Sequence, residues 1–154
     1  MKVIEIAKKE IITVKRSLTL RRLLDIFKGF NSHPLIPVVN EDKILLGIVS
    51  SENLLDLLRP QQAKLFKNVP FMEIDEDLFD LDPVPSMGEL LIVDDILDTN
   101  FISIDQDTSL EEAYKIMRLN NKEHLPVITK QGKIVGMLGI FDIIWQMFKE
   151  KEIV

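Results

Sequence analysis

The side chains able to do covalent or metal chemistry are few in this chain. It contains no cysteine, which removes thiolate nucleophiles, disulfides and cysteine metal sites together. Carboxylates and two histidines, His33 and His124, are the strong metal-ligand types that remain. The acids Asp75, Glu76, Asp77, Asp80 and Asp82 lack the spacing of an EF-hand loop, and no metal site is predicted. No nucleophile with a base, no pair of catalytic acids and no metal cluster emerges, so the chain reads as a binding protein and not an enzyme. The groups that stand out instead are hydrogen-bonding ones at the starts of two amphipathic helices. Ser50 lies three places before Asn53, and Gly139 lies three places before Asp142.

Charge narrows the ligand classes further. The net charge is -6, which argues against nucleic acid, because that binding depends on Lys and Arg neutralising phosphates. The acids concentrate between Pro60 and Asp95, opposed there only by Lys64 and Lys67. No apolar run approaches the roughly 18 residues of a membrane span, and the start of the chain lacks the apolar stretch of a signal peptide. A cytoplasmic protein with no membrane partner is the expectation.

The elements that carry these groups are duplicated. A shift of 90 positions lays Ile11-Ile12-Thr13-Val14 on Phe101-Ile102-Ser103-Ile104 and Thr19-Leu20 on Ser109-Leu110. A shift of 89 lays Pro37-Val38-Val39 on Pro126-Val127-Ile128 and Gly47 on Gly136. The 154 residues thus divide into a first repeat (1–59), an insert (60–92) and a second repeat (93–154). In each copy a short apolar run predicts a buried strand, and Thr19 or Ser109 then caps a helix. Leu20, Leu23, Leu24 and Phe27, like Leu110, Ala113, Tyr114 and Met117, fall on one helical face. Ser109 with Glu112 predicts a capping box, whereas the first copy places Arg21 and Arg22 at the positive helix end, which is electrostatically poorer. Pro37 and Pro126 hold the residue before them extended, starting a strand. A polar turn (40–43, 129–132), a third strand and a last helix (51–59, 140–149) follow. The fold class is α/β (α+β), two β-α-β-β-α units. Each is too small to be robust alone, so they pack on each other in pseudo-twofold fashion.

The insert is longer than an ordinary connection. Phe71, Met72, Ile74, Leu78, Phe79 and Leu81 make it too apolar for a free linker, and it is expected to be structured. His33 is read as a turn residue.

This arrangement resembles the tandem CBS-domain pair, or Bateman module. The residues that carry the likeness are the strands Leu35-Ile36-Pro37-Val38-Val39 and His124-Leu125-Pro126-Val127-Ile128, with Gly47-Ile48-Val49-Ser50-Ser51-Glu52-Asn53 and Gly136-Met137-Leu138-Gly139-Ile140-Phe141-Asp142. The resemblance implies a stand-alone regulatory module that takes an adenosine-type nucleotide, AMP, ADP, ATP or the S-adenosylmethionine class, in a cleft between repeats and signals to a protein effector. By the same resemblance, Asp142 and Asn53 take hydrogen bonds from ribose hydroxyls, and Ser50 faces phosphate where the second copy has Gly139. Adenine is held around Ile12, Thr13 and Val14, or Phe101, Ser103 and Ile104, and covered by Ile36 or Leu125. His124 is a candidate phosphate contact.

Each of these residues has a second reading. Ser50 and Asp142 are also natural helix caps, and Gly139 suits close packing as well as room for a ligand. Thr13 and Ser103 can be plain strand residues, and His124 a structural histidine. The corresponding alternative function is a nucleotide-independent protein scaffold with degenerate sites. In the last helix, Phe141, Ile144, Trp145 and Phe148 form an apolar stripe larger than one small sheet needs, which predicts a homodimer.

Overall fold

Two matching hairpins lie at the centre of the molecule. The structure, a computed structural model, describes residues 1–29, 35–58 and 85–154. After a short 3-10 turn (Val3–Glu5) come α1 (Leu20–Gly29), β1 (Leu35–Val39), β2 (Leu45–Ser50), α2 (Ser51–Leu57), α3 (Met87–Leu90), α4 (Val93–Ile96), β3 (Ile104–Asp105), α5 (Leu110–Leu119), β4 (His124–Ile128), β5 (Ile134–Gly139) and α6 (Ile140–Glu150). Strands β1 and β2 pair antiparallel with Ile36 opposite Val49, and β4 and β5 pair with Leu125 opposite Leu138. Both registers slip at the equivalent step, between Val38 and Val39 and between Val127 and Ile128. The two polar turns each contain a residue at positive φ, Gly132 at 85° and Lys43 at 64°. Glycine adopts this conformation freely, whereas Lys43 does so against its Cβ.

The first predicted strand of each copy is much shorter than its apolar run. Val14 makes one parallel bridge to Val38, and β3 pairs for two residues with β4. The rest of each run is used differently. Ile11 and Phe101 pack with Ile128 around Val39, Leu45 and Ile134, a cluster shared by the two halves. Only the end of each run is left to lie along a sheet edge.

Helix starts follow their caps. Ser109 Oγ accepts from Glu112 N at 3.2 Å, although the reciprocal Glu112 bond of the predicted capping box is not formed. Thr19 Oγ1 is a longer cap, 3.4 Å from Arg22 N. The unfavourable Arg21 at the start of α1 is answered from α3, where Glu89 accepts its Nε–H in an exposed ion pair.

The segment that opens each repeat is exchanged onto the other half. Near the amino end, Val3 N donates to Thr108 O (2.9 Å), Leu110 N donates to Met1 O (3.3 Å), and Lys8 and Met137 exchange two backbone bonds of 2.9 Å. On the first half, Val93 N donates to Leu18 O (2.8 Å), Leu20 N to Leu91 O (2.9 Å), and Ile48 and Asp98 exchange bonds of 3.0 and 2.8 Å. The partners are related by the same shifts that align the repeats. Val3 and Val93 are both 0% exposed, each anchoring its segment in the opposite core. The crossings also account for the repeated glycines. A Cβ on Gly47 would sit 2.8 Å from Asp98 O and against Leu97, and one on Gly136 would sit 2.9 Å from Lys8 O.

The halves meet again at their turns, where Leu45 N donates to Gly132 O (3.0 Å) and Ile134 N to Lys43 O (3.1 Å). The result is a pseudo-twofold α+β molecule with one core in each half and a third between them. On α6, Ile143 is buried, while Phe141, Trp145 and Phe148 face outward at 65%, 51% and 47% exposure. Among the described residues no helix is long and apolar enough to cross a membrane. His33 and the stretch from Phe71 to Leu81 lie outside the described residues.

Candidate ligand-binding cleft

A cavity of about 470 Å³ opens where the two halves face each other. One wall is the end of β2 and the start of α2, with Ile48, Ser50, Ser51, Glu52 and Asn53, and Leu35 lies across the hairpin. The facing wall is second-half chain, with Asp98, Asn100, Phe101 and Ile102 and the run from Asn121 through Pro126. Apolar surface from Leu35, Ile48 and Phe101 therefore meets polar groups from Ser50, Asn53 and His124, while Leu125 borders the cavity from within the core at 1% exposure. This mixture suits a flat, partly polar small molecule.

The start of α2 is closely bonded. Ser50 N and Ser50 Oγ both donate to Asn53 Oδ1, at 2.8 and 2.9 Å, and Asn53 N donates to Ser50 Oγ at 3.2 Å. The Asn53 side-chain oxygen is thus saturated by its own helix start. Its Nδ2 has no protein partner among the described residues, and it is the amide group left to bond a ligand. At the start of α6 the pattern is thinner. Gly139 N donates to Asp142 Oδ2 at 2.8 Å, and with no hydroxyl at position 139 the second Asp142 oxygen has no such local donor.

The cavity groups the predicted residues across the repeats. Ser50 and Asn53 of the first copy stand with Phe101, His124 and Leu125 of the second. Asp142 and Gly139, which the resemblance also assigns to a ligand site, are outside this wall. They remain adjacent to it through His124, which pairs with Gly139 across β4 and β5. A Cβ at Gly139 would stand 3.4 Å from the His124 ring. Val14, Ile36 and Ile104, at 5%, 1% and 2% exposure, are committed to the cores. Ile12 and Ser103 are half-buried and Thr13 is exposed. Asp98, Asn100, Asn121, Lys122 and Glu123 line the cavity without having been singled out from the sequence. The repeat shifts held the clue to them, because a pseudo-twofold pair closes each cleft with the opposite copy. Among the described residues no three His, Asp or Glu come together to hold a metal ion.

Two α+β repeats with exchanged leading segments and a cleft walled by both define a paired-repeat architecture. The chain belongs to the CBS domain family, whose model matches residues 3–60 and 93–149. It is 29% identical over 149 residues to a CBS domain-containing protein of Dictyostelium discoideum, covering 96% of this chain and 92% of that one. Its fold is similar to CBSX2 of Arabidopsis thaliana, solved in complex with AMP, with TM-score 0.69 and 20% identity over 97% of this chain and 98% of that one. It is also similar to the CBS domain pair of protein MJ0100, solved with 5'-methylthioadenosine and S-adenosyl-L-methionine, with TM-score 0.65 and 18% identity over 96% and 99%.

Proposed function

We propose that this chain is a regulatory module that binds an adenosine-type nucleotide between its repeats and reports its occupancy to a partner protein. The observation that carries the reading is the cavity itself. Its volume, about 470 Å³, lies within the range of small-molecule sites, and its walls pair apolar faces with a few hydrogen-bonding groups. Similar folds have been solved with AMP, 5'-methylthioadenosine and S-adenosyl-L-methionine. In this reading adenine lies against Phe101 and Leu35, and the Asn53 amide with His124 bonds the polar end. Asp142 serves the pseudo-equivalent position at the start of α6. The module has no catalytic role, and it works as a homodimer joined through the exposed face of α6. Calorimetric titration of the full chain with AMP, ADP, ATP and S-adenosylmethionine tests the reading. Saturable heat with at least one of them is expected, and a flat response to all four rejects it.

The scaffold reading draws on one specific observation, the aromatic face of α6. Under it the cleft stays empty, and a protein partner binds with equal affinity whether or not nucleotide is added.

A further inference from the structure

We infer that this cleft selects adenosine compounds whose 5' substituent is uncharged or cationic, a thioether or sulfonium nucleoside, over those that carry a polyphosphate. The inference rests on the adenosine reading above and names the ligand class within it.

Charge in the cavity wall is the first argument. Among the described lining residues the carboxylates are Glu52, Asp98 and Glu123, and the permanent cation is Lys122. Protonating His124 reduces this excess of negative charge without reversing its sign. The Asp98 carboxylate is fixed in place, since its Oδ1 accepts from Asn100 N at 2.8 Å. The chain as a whole adds a negative background, with a net charge of -6.

The second argument is how the start of α2 uses its donors. A phosphate group needs several N–H or O–H groups directed at it, and three of those at the start of α2 are already in use. Ser50 N, the Ser50 hydroxyl and Asn53 N all bond within the helix start, at 2.8, 2.9 and 3.2 Å. The helix spans only seven residues, so its dipole offers little to replace them. The wall thus combines apolar surface and neutral polar side chains, Asn53, Ser51, Asn100 and Asn121, with three carboxylate residues against one lysine. Apolar surface accepts a methylthio group, carboxylates attract a sulfonium and its amino group, and neither compensates a polyphosphate.

The test is calorimetric titration of the full chain with 5'-methylthioadenosine, S-adenosylmethionine, AMP and ATP, at low and at high salt. The sulfur compounds are expected to bind at least about tenfold more tightly than ATP at low salt, with the gap shrinking as salt screens the wall. In the variant Glu52→Gln/Asp98→Asn/Glu123→Gln the gap narrows while affinity for 5'-methylthioadenosine stays within a few-fold. If that variant fails to fold, the salt series on the unaltered chain decides. ATP binding as tightly as the sulfur compounds, or more tightly, overturns the inference and leaves the adenosine reading intact. No binding by any of the four overturns both.

Discussion

Replacing Gly47 by alanine tests the exchanged segment at its tightest point. The new Cβ would stand 2.8 Å from Asp98 O and collide with the Leu97 side chain. Asp98 O is backbone and already accepts from Ile48 N at 3.0 Å, with the return bond from Asp98 N at 2.8 Å. The chain at 97–98 must therefore move away from β2. Overpacking of this kind costs about 1–3 kcal/mol, and weakening two backbone hydrogen bonds adds roughly 0.5–1.5 kcal/mol each. The sum is about 2–6 kcal/mol, which for a chain of this size lowers the melting temperature by roughly 4–24 °C. Gly136→Ala makes the equivalent clash, 2.9 Å from Lys8 O, and should fall in the same range. Gly29→Ala is the control, because nothing lies within 4 Å of its added Cβ. At the end of α1 it should leave stability unchanged or raise it by up to about 1 kcal/mol. Melting followed by circular dichroism reads all three. A Gly47→Ala protein that melts within about 2 °C of the unaltered chain would refute the argument.

Asn53→Ala removes the acceptor of two Ser50 bonds and the free amide in the cavity. It should cost about 1 kcal/mol of stability and weaken an adenosine ligand several-fold, read by melting and titration together. Asp142→Ala removes the bond from Gly139 N and should cost about 1 kcal/mol of stability. Weakening of a cleft ligand by about tenfold or more would assign Asp142 to a site as well as a cap, and unchanged affinity would leave it a cap. Trp145→Glu places a charge on the exposed α6 face. Light scattering at tens of micromolar should show a dimer for the unaltered chain and a monomer for the variant, and a monomer in both would remove α6 as the interface. Val3→Ala and Val93→Ala each empty a fully buried site and should cost about 1.5–3 kcal/mol. Hydrogen exchange should rise chiefly in the second half for Val3→Ala and in the first half for Val93→Ala, and the opposite assignment would deny the exchange.

The duplicated architecture was legible because each copy repeats its local signals. Proline before a β-branched run, a capping hydroxyl and helical spacing of leucines are determined within a few residues, and the structure buries Leu20, Leu23, Leu110, Ala113 and Met117 as the periodicity implies, while Leu24 and Tyr114 from the same predicted faces are exposed. The shortened first strands show where such signals stop. Ile11 and Phe101 have the composition of buried strand residues, and they are indeed packed, but against the opposite half. Apolar character reports burial and not the partner that provides it. The grouping of the cleft was hidden for the same reason. Ser50 and Asn53 announce a helix start locally, whereas their proximity to His124 and Leu125 depends on how the halves dock. The aligned glycines at 47 and 136 carried that long-range information, since a chain crossing there is what excludes a side chain. Spacing alone records the missing side chain and not the segment that occupies its place.

The exchange also bears on how occupancy of the cleft could be read by a partner. A ligand between Ser50–Asn53 and His124–Pro126 touches both halves at once, and the halves are already joined at three other places. These are the two exchanged segments and the paired turns at Leu45 and Ile134. A wide hinge motion would break backbone pairs at all three, at roughly 0.5–1.5 kcal/mol for each bond lost. A bound nucleotide would have to supply that energy through its preference for one state. Small displacements of α2 and α6 require far less. Both helices start at the ends of hairpin strands, beside the cleft residues Ser50 and His124, and α6 presents its aromatic face outward. Under the proposed function, the physically cheaper signal is therefore a change in the angle or order of these helices, with the exposed face of Phe141, Trp145 and Phe148 as the surface that would carry it.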